Sequence, residues 1–126
     1  MSRILVSLAA VACMVAFLPA SVAATPRPAS RMLVYAQEWS LWPSRTVVPA
    51  GRVSVELWNR GQDAHDLHIR RLSRRGAMAG RAQKVPATSS GAVNTATWKL
   101  RAGRYELYCS MPGHRAHGMH VVLTVR

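Results

Sequence analysis

Between Tyr108 and His120 the chain reads Tyr-Cys-Ser-Met-Pro-Gly-His-Arg-Ala-His-Gly-Met-His, placing one cysteine, three histidines and two methionines in a single stretch. Thiolate and thioether are soft donors, and imidazole suits several transition metals. Cys109, His114 and Met119 follow a C-x4-H-x4-M spacing. Pro112-Gly113, directly ahead of His114, is a chain-reversing pair that lets three side chains of one loop converge. A buried, inert cysteine is the plain reading of Cys109. The histidines and methionines around it favour a metal ligand instead. Structural zinc prefers several cysteines at paired spacing, and Cys109 has no second cysteine near it.

The elements that must position these donors read as short strands separated by turns, the pattern of an all-β sandwich or barrel. Strands are expected at 32–37, 46–48, 53–59, 65–72, 96–100, 105–109 and 120–125. Turns are expected at Pro49-Ala50-Gly51, Asn59-Arg60-Gly61, Ser90-Gly91 and Ala102-Gly103. Residues 73–95 are rich in Gly, Ala and Ser without a clear period, consistent with a short helix or with strands in a loop region. Successive strand residues alternate faces. That phase turns Tyr105, Leu107 and Cys109 inward and leaves Glu106 in water. It turns Met119, Val121, Leu123 and Val125 inward, with His120, Val122 and Thr124 outward. In the third strand it aims His65, Leu67 and Ile69 inward and Asp66, His68 and Arg70 outward. Three strands thus direct His65, Cys109 and Met119 at one interior. Two histidines, one cysteine and a weak axial methionine are the donor set of a blue-copper electron-transfer centre. His65 is the candidate for the ligand that the loop does not supply. His68, His117 and His120 read as surface residues, and Met111 as part of an apolar rim.

The amino terminus bears on the fate of the thiol. Arg3 precedes an uncharged apolar run from Ile4 to Leu18, Pro19 breaks it, and Ser21-Val22-Ala23-Ala24 supplies small residues. This is the pattern of a secretory signal peptide, although the run through Ala24 is nearly long enough for a membrane anchor. The expected organisation is a signal peptide at 1–24, a flexible leader at 25–30 and one domain at 31–126. Removal of the signal takes Cys13 with it and leaves Cys109 alone in an oxidising periplasmic or secreted setting. A lone thiol there is prone to oxidation unless something occupies it.

Asn59-Arg60-Gly61 followed by His65 resembles the N-x-G-x-x-x-H pattern of the cupredoxins. Gly103 to Cys109 resembles their G-x-Y-x-x-x-C approach to the thiolate, and Cys109 to His114 with Gly118-Met119 resembles their ligand loop. Residues 37–51 resemble the family's opening two strands. The likeness covers nearly the whole mature chain and is strongest to the plastocyanin, azurin and auracyanin type. It implies a Greek-key β-sandwich holding one copper, cycling Cu(I)/Cu(II), with His65, Cys109, His114 and axial Met119 as ligands. The implied role is one-electron transfer between proteins, not catalysis. Two positions depart from the family pattern. Asp66 follows the first histidine, where its backbone N–H could still donate to the Cys109 sulfur, and His120 follows Met119.

Seventeen Lys and Arg against five Asp and Glu give a formal charge of +12. Only Lys84 and Lys99 are lysines, and Arg70, Arg71, Arg74 and Arg75 form the densest cluster. Such a field steers acidic partners and anionic membrane surfaces. Nucleic acid is not an expected partner, since no basic motif interleaved with aromatics is present. A monomer is expected. The other functional reading is a periplasmic copper chaperone or copper-sequestering protein, for which Met111, His117 and His120 would be extra donors. Hydrolysis by Cys109 and His114 would need an exposed thiolate, which the strand phase opposes.

Overall fold

Apolar residues at every second position dictate extended structure with one buried face. The computed structural model describes residue 25 and residues 27–126; the expected signal segment at 1–24 lies outside the described residues. Nine strands are present among them: β1 (Ser30–Gln37), β2 (Ser40–Pro43), β3 (Val47–Val48), β4 (Gly51–Asn59), β5 (His65–Leu72), β6 (Met78–Thr88), β7 (Val93–Leu100), β8 (Gly103–Tyr108) and β9 (His120–Val125). The described residues are all-β. One sheet has the order β2-β1-β4-β7 and the other β3-β9-β8-β5-β6. Each is mixed, with β1 parallel to β4 and β3 parallel to β9.

The two inner faces make the core. Met32, Val34 and Ala36 of β1, Val53, Val55 and Leu57 of β4, and Trp98 and Leu100 of β7 face Leu67, Ile69, Val85, Leu107 and Leu123 of the other sheet. Each large apolar side chain removed from water there contributes about 1.5–3 kcal/mol. The outward positions of β1, such as Arg31, Leu33 and Tyr35, stay at least partly accessible. The alternation seen in the sequence is therefore the sidedness of the sheet.

Two expectations need correction, and one left open is decided. Of the helix and the strands that residues 73–95 allowed, the structure has strands: β6 and the start of β7. β6 lies at a sheet edge and buries only Val85 and Thr88. Exposed Arg81, Lys84 and Pro86 replace the apolar alternation, as edge strands require. Asp66 is buried, 7 % exposed. Its side chain still shares the outward face with His68, whose Nε2 lies 3.1 Å away, but Ser110 of the loop after β8 covers it, so three successive residues of β5 are buried. Glu106 does lie on the outer face, yet it is only 6 % exposed. Arg115 covers it with two hydrogen bonds of 2.9 and 3.0 Å, and His120 Nδ1 lies 3.2 Å from the same carboxylate.

Candidate metal centre

The centre forms where β5 begins and where β8 passes to β9. His65 Nδ1, Cys109 Sγ and His114 Nδ1 lie within 4.8 Å of one another. The two nitrogens are 3.1 Å apart, and the sulfur is 3.5 Å from His114 Nδ1 and 4.0 Å from His65 Nδ1. One ion about 2.0–2.1 Å from each nitrogen and about 2.3 Å from the sulfur spans such separations. His65 and Cys109 are fully buried, and His114 is partly exposed. Met119 is fully buried.

Local hydrogen bonding explains why one loop can deliver three of the four expected ligands. Tyr108 pairs with His120 at the end of the β8–β9 ladder. Cys109 N–H to Met119 O, at 3.1 Å, extends that ladder by one step. Between them, tight turns run through His114 N–H to Met111 O and His117 N–H to Gly113 O, and Met119 N–H returns to His114 O. Gly118 sits at φ +121, where a Cβ would also stand 3.1 Å from Trp39 O. A side chain there would be strained twice over.

Asp66 ties this loop to β5. Its carboxylate accepts the Ser110 N–H at 2.6 Å and the Ser110 hydroxyl, and His68 Nε2 lies 3.1 Å away. Burial pushes the Asp66 carboxyl up, but the hydrogen bonds from Ser110 outweigh it and hold the group below its ordinary range. The residue beside His65 is thereby clamped to the residue beside Cys109. Burial likewise raises the Cys109 thiol, opposed by N–H donors from Met111 and Asp66. Without a bound cation the sulfur favours the protonated form, while the two N–H groups are placed to solvate a thiolate.

Two residues of the site carry no signal in motif spacing. The β1–β2 turn lays Glu38 against His65, with Oε1 2.9 Å from Nε2. The same turn sets Trp39 edge-on to His114 at 5.0 Å between ring centroids and stacked on His117 at 4.8 Å. Burial raises the Glu38 carboxyl, but the Asp63 N–H and the His65 ring outweigh it, leaving the group below its ordinary range. The other histidines have their own partners. His117 Nδ1 donates to Gly113 O at 2.7 Å, and His68 leans on Tyr108 at 5.4 Å.

Residues 7–122 match the cupredoxin-like domain family, and the chain belongs to that family. Among curated proteins none matches by sequence. Solved structures with the same fold include reduced auracyanin from Roseiflexus castenholzii, at 22 % identity and TM-score 0.60 over 79 % of this chain and 99 % of that one. Auracyanin A from Chloroflexus aurantiacus aligns at 16 % identity and TM-score 0.62, over 79 % and 100 %. Rusticyanin from Thiobacillus ferrooxidans aligns at 20 % identity and TM-score 0.56, over 76 % of each. The family and the donor set together fit one copper ion.

Proposed function

We propose that the chain is an exported, mononuclear blue-copper protein that carries single electrons between partner proteins. The observation that carries this reading is the convergence of His65 Nδ1, Cys109 Sγ and His114 Nδ1. In this reading those three are the strong ligands, and Met119, fully buried and five residues after His114, is the axial one. Copper held there supplies a one-electron Cu(II)/Cu(I) couple. The protein's part is to keep the donors still. The Cys109–Met119 backbone bond, the Asp66–Ser110 clamp and the Glu106–Arg115 pair hold the loop from three sides. Auracyanin A is described as a "blue" copper protein, which supports the same chemistry here.

Of the three converging donors, His114 alone reaches the surface. Trp39, 42 % exposed, flanks it, and Met111, Pro112 and Ala116 complete the rim. Redox partners dock on this side in the proposed scheme, and the charge of +11 left once Arg3 departs with the signal favours acidic ones. The same charge would favour contact with an anionic membrane surface. Residues 1–24 are proposed as a cleaved signal to the periplasm or beyond, 25–30 as a leader and 31–126 as a monomeric domain. The chain is not proposed as an enzyme: Cys109 is fully buried, whereas a nucleophilic thiolate must meet its substrate. The copper-chaperone reading asks for extra donors near the ion. His117 is held at Gly113 O and His120 at Glu106, so electron carriage is the better supported role.

Loading with Cu(II) should produce intense thiolate-to-copper absorption that bleaches with a reductant and returns with an oxidant. A colourless protein after Cu(II) addition would end the proposal. The axial assignment has its own check. Met119→Leu conserves volume, a change that costs less than about 1.5 kcal/mol in a core. It should keep copper and colour and raise the reduction potential. Met119→Gln should lower it, because an amide oxygen is the harder donor. Identical potentials by electrochemistry for Met, Leu and Gln would remove Met119 from the ligand set.

A further inference from the structure

We propose that Glu38 is a positioning residue of the metal centre: its carboxylate fixes His65 in the Nε2–H tautomer and makes Nδ1 a stronger donor, favouring Cu(II) over Cu(I). This rests on the copper reading above.

The geometry leaves His65 little choice. Glu38 Oε1 is 2.9 Å from Nε2. An ionised carboxylate only accepts hydrogen bonds, so Nε2 carries the proton. Nδ1 then presents its lone pair, and Nδ1 is the atom that faces Cys109 Sγ and His114 Nδ1. A ligating histidine whose second nitrogen donates to a carboxylate is held in ring orientation and gains basicity. His65 has no solvent-exposed side-chain surface and Glu38 only 20 %, so the pair is weakly screened.

The carboxylate is itself held in a built cradle. Oε1 accepts the backbone N–H groups of Gln62 at 2.9 Å and Asp63 at 2.8 Å. Gly61 leaves the room: a Cβ there would come within 2.5 Å of Oε2. The loop that leads into His65 therefore grips the group that orients His65. A fixed negative charge behind the imidazole stabilises the more highly charged ion, so the potential is lower with Glu38 than without it.

Two substitutions separate charge from geometry. Glu38→Gln keeps an acceptor oxygen and removes the charge. Glu38→Leu removes both. With Glu38→Gln the ratio of Cu(II) to Cu(I) affinity should fall about tenfold, at the lower end of what outer partners of metal ligands contribute. For a one-electron couple that is a rise of about 59 mV by voltammetry. A second readout needs no copper. Imidazole 15N shifts of the metal-free protein should show His65 as the Nε2–H tautomer in wild type and Glu38→Gln, and as a mixture in Glu38→Leu. Blue wild type with an unchanged potential in Glu38→Gln overturns the proposal alone, as does an unaltered His65 spectrum in Glu38→Leu. Wild type that stays colourless with Cu(II) overturns the copper reading and this proposal together.

Discussion

Cys109→Ser should abolish the intense visible absorption of the Cu(II)-loaded protein while leaving the sandwich folded. Serine supplies a hard oxygen in place of a soft, polarizable thiolate, so the charge-transfer band loses its donor. Affinity for Cu(I) should fall by more than the about 10–100-fold that loss of an outer partner costs. The fold should tolerate the change. Cys109 is fully buried, but the N–H groups of Met111 and Asp66 aimed at its sulfur give the new hydroxyl partners. The loss of stability should therefore stay below the about 1–3 kcal/mol of an unpaired buried polar group. Absorption spectra and thermal melts of both proteins decide it. A serine variant as blue as wild type would dismiss Cys109 as the ligand.

Asn59→Leu should unfold the protein far more readily and loosen the metal centre as well. Asn59 is fully buried at the end of β4, where a strand would ordinarily stop at a polar turn residue. Its amide donates to Asp63 O at 2.7 Å and to Thr88 O at 2.8 Å, and its Oδ1 accepts the Gly61 N–H at 2.9 Å. The side chain thus replaces missing backbone partners along the segment that leads to His65. Leucine of similar size leaves three polar groups unpaired, each costing about 1–3 kcal/mol where water cannot reach it. Partial hydration of the loop brings the total to roughly 3 kcal/mol. For a domain of this size that is a fall of roughly 12–24 °C in Tm. Cu(II) affinity should drop too, since the 61–63 loop holds Glu38 against His65. Calorimetry with and without copper tests both parts. A variant melting within a few degrees of wild type would show that Asn59 merely fills space.

By itself the sequence determined the strands with one apolar face and the donors that lie close along the chain. The phase of β5, β8 and β9 put His65, Cys109 and Met119 on the inner side, and all three are buried. Local spacing sufficed for Cys109 and His114 because a loop of tight turns can only bring such neighbours together. Only the tertiary structure decided what surrounds them. Period-two alternation assigns a face to a residue but says nothing of what covers that face. Asp66 and Glu106 were therefore expected in water, yet Ser110 of the ligand loop covers the first and the Arg115 and His120 side chains cover the second. Residues 73–95 left helix and strand undecided because an edge strand with few inward side chains has little alternation to read. Glu38 is 27 residues from His65, and Trp39 is 75 and 78 residues from His114 and His117, the histidines they touch. Nothing local marks such contacts, because they depend on how β1 and β2 lie beside the loops of the opposite sheet. Sequence period thus specifies which atoms can bind a metal; the packing of distant turns specifies the charge and the hydrogen bonds those atoms work with.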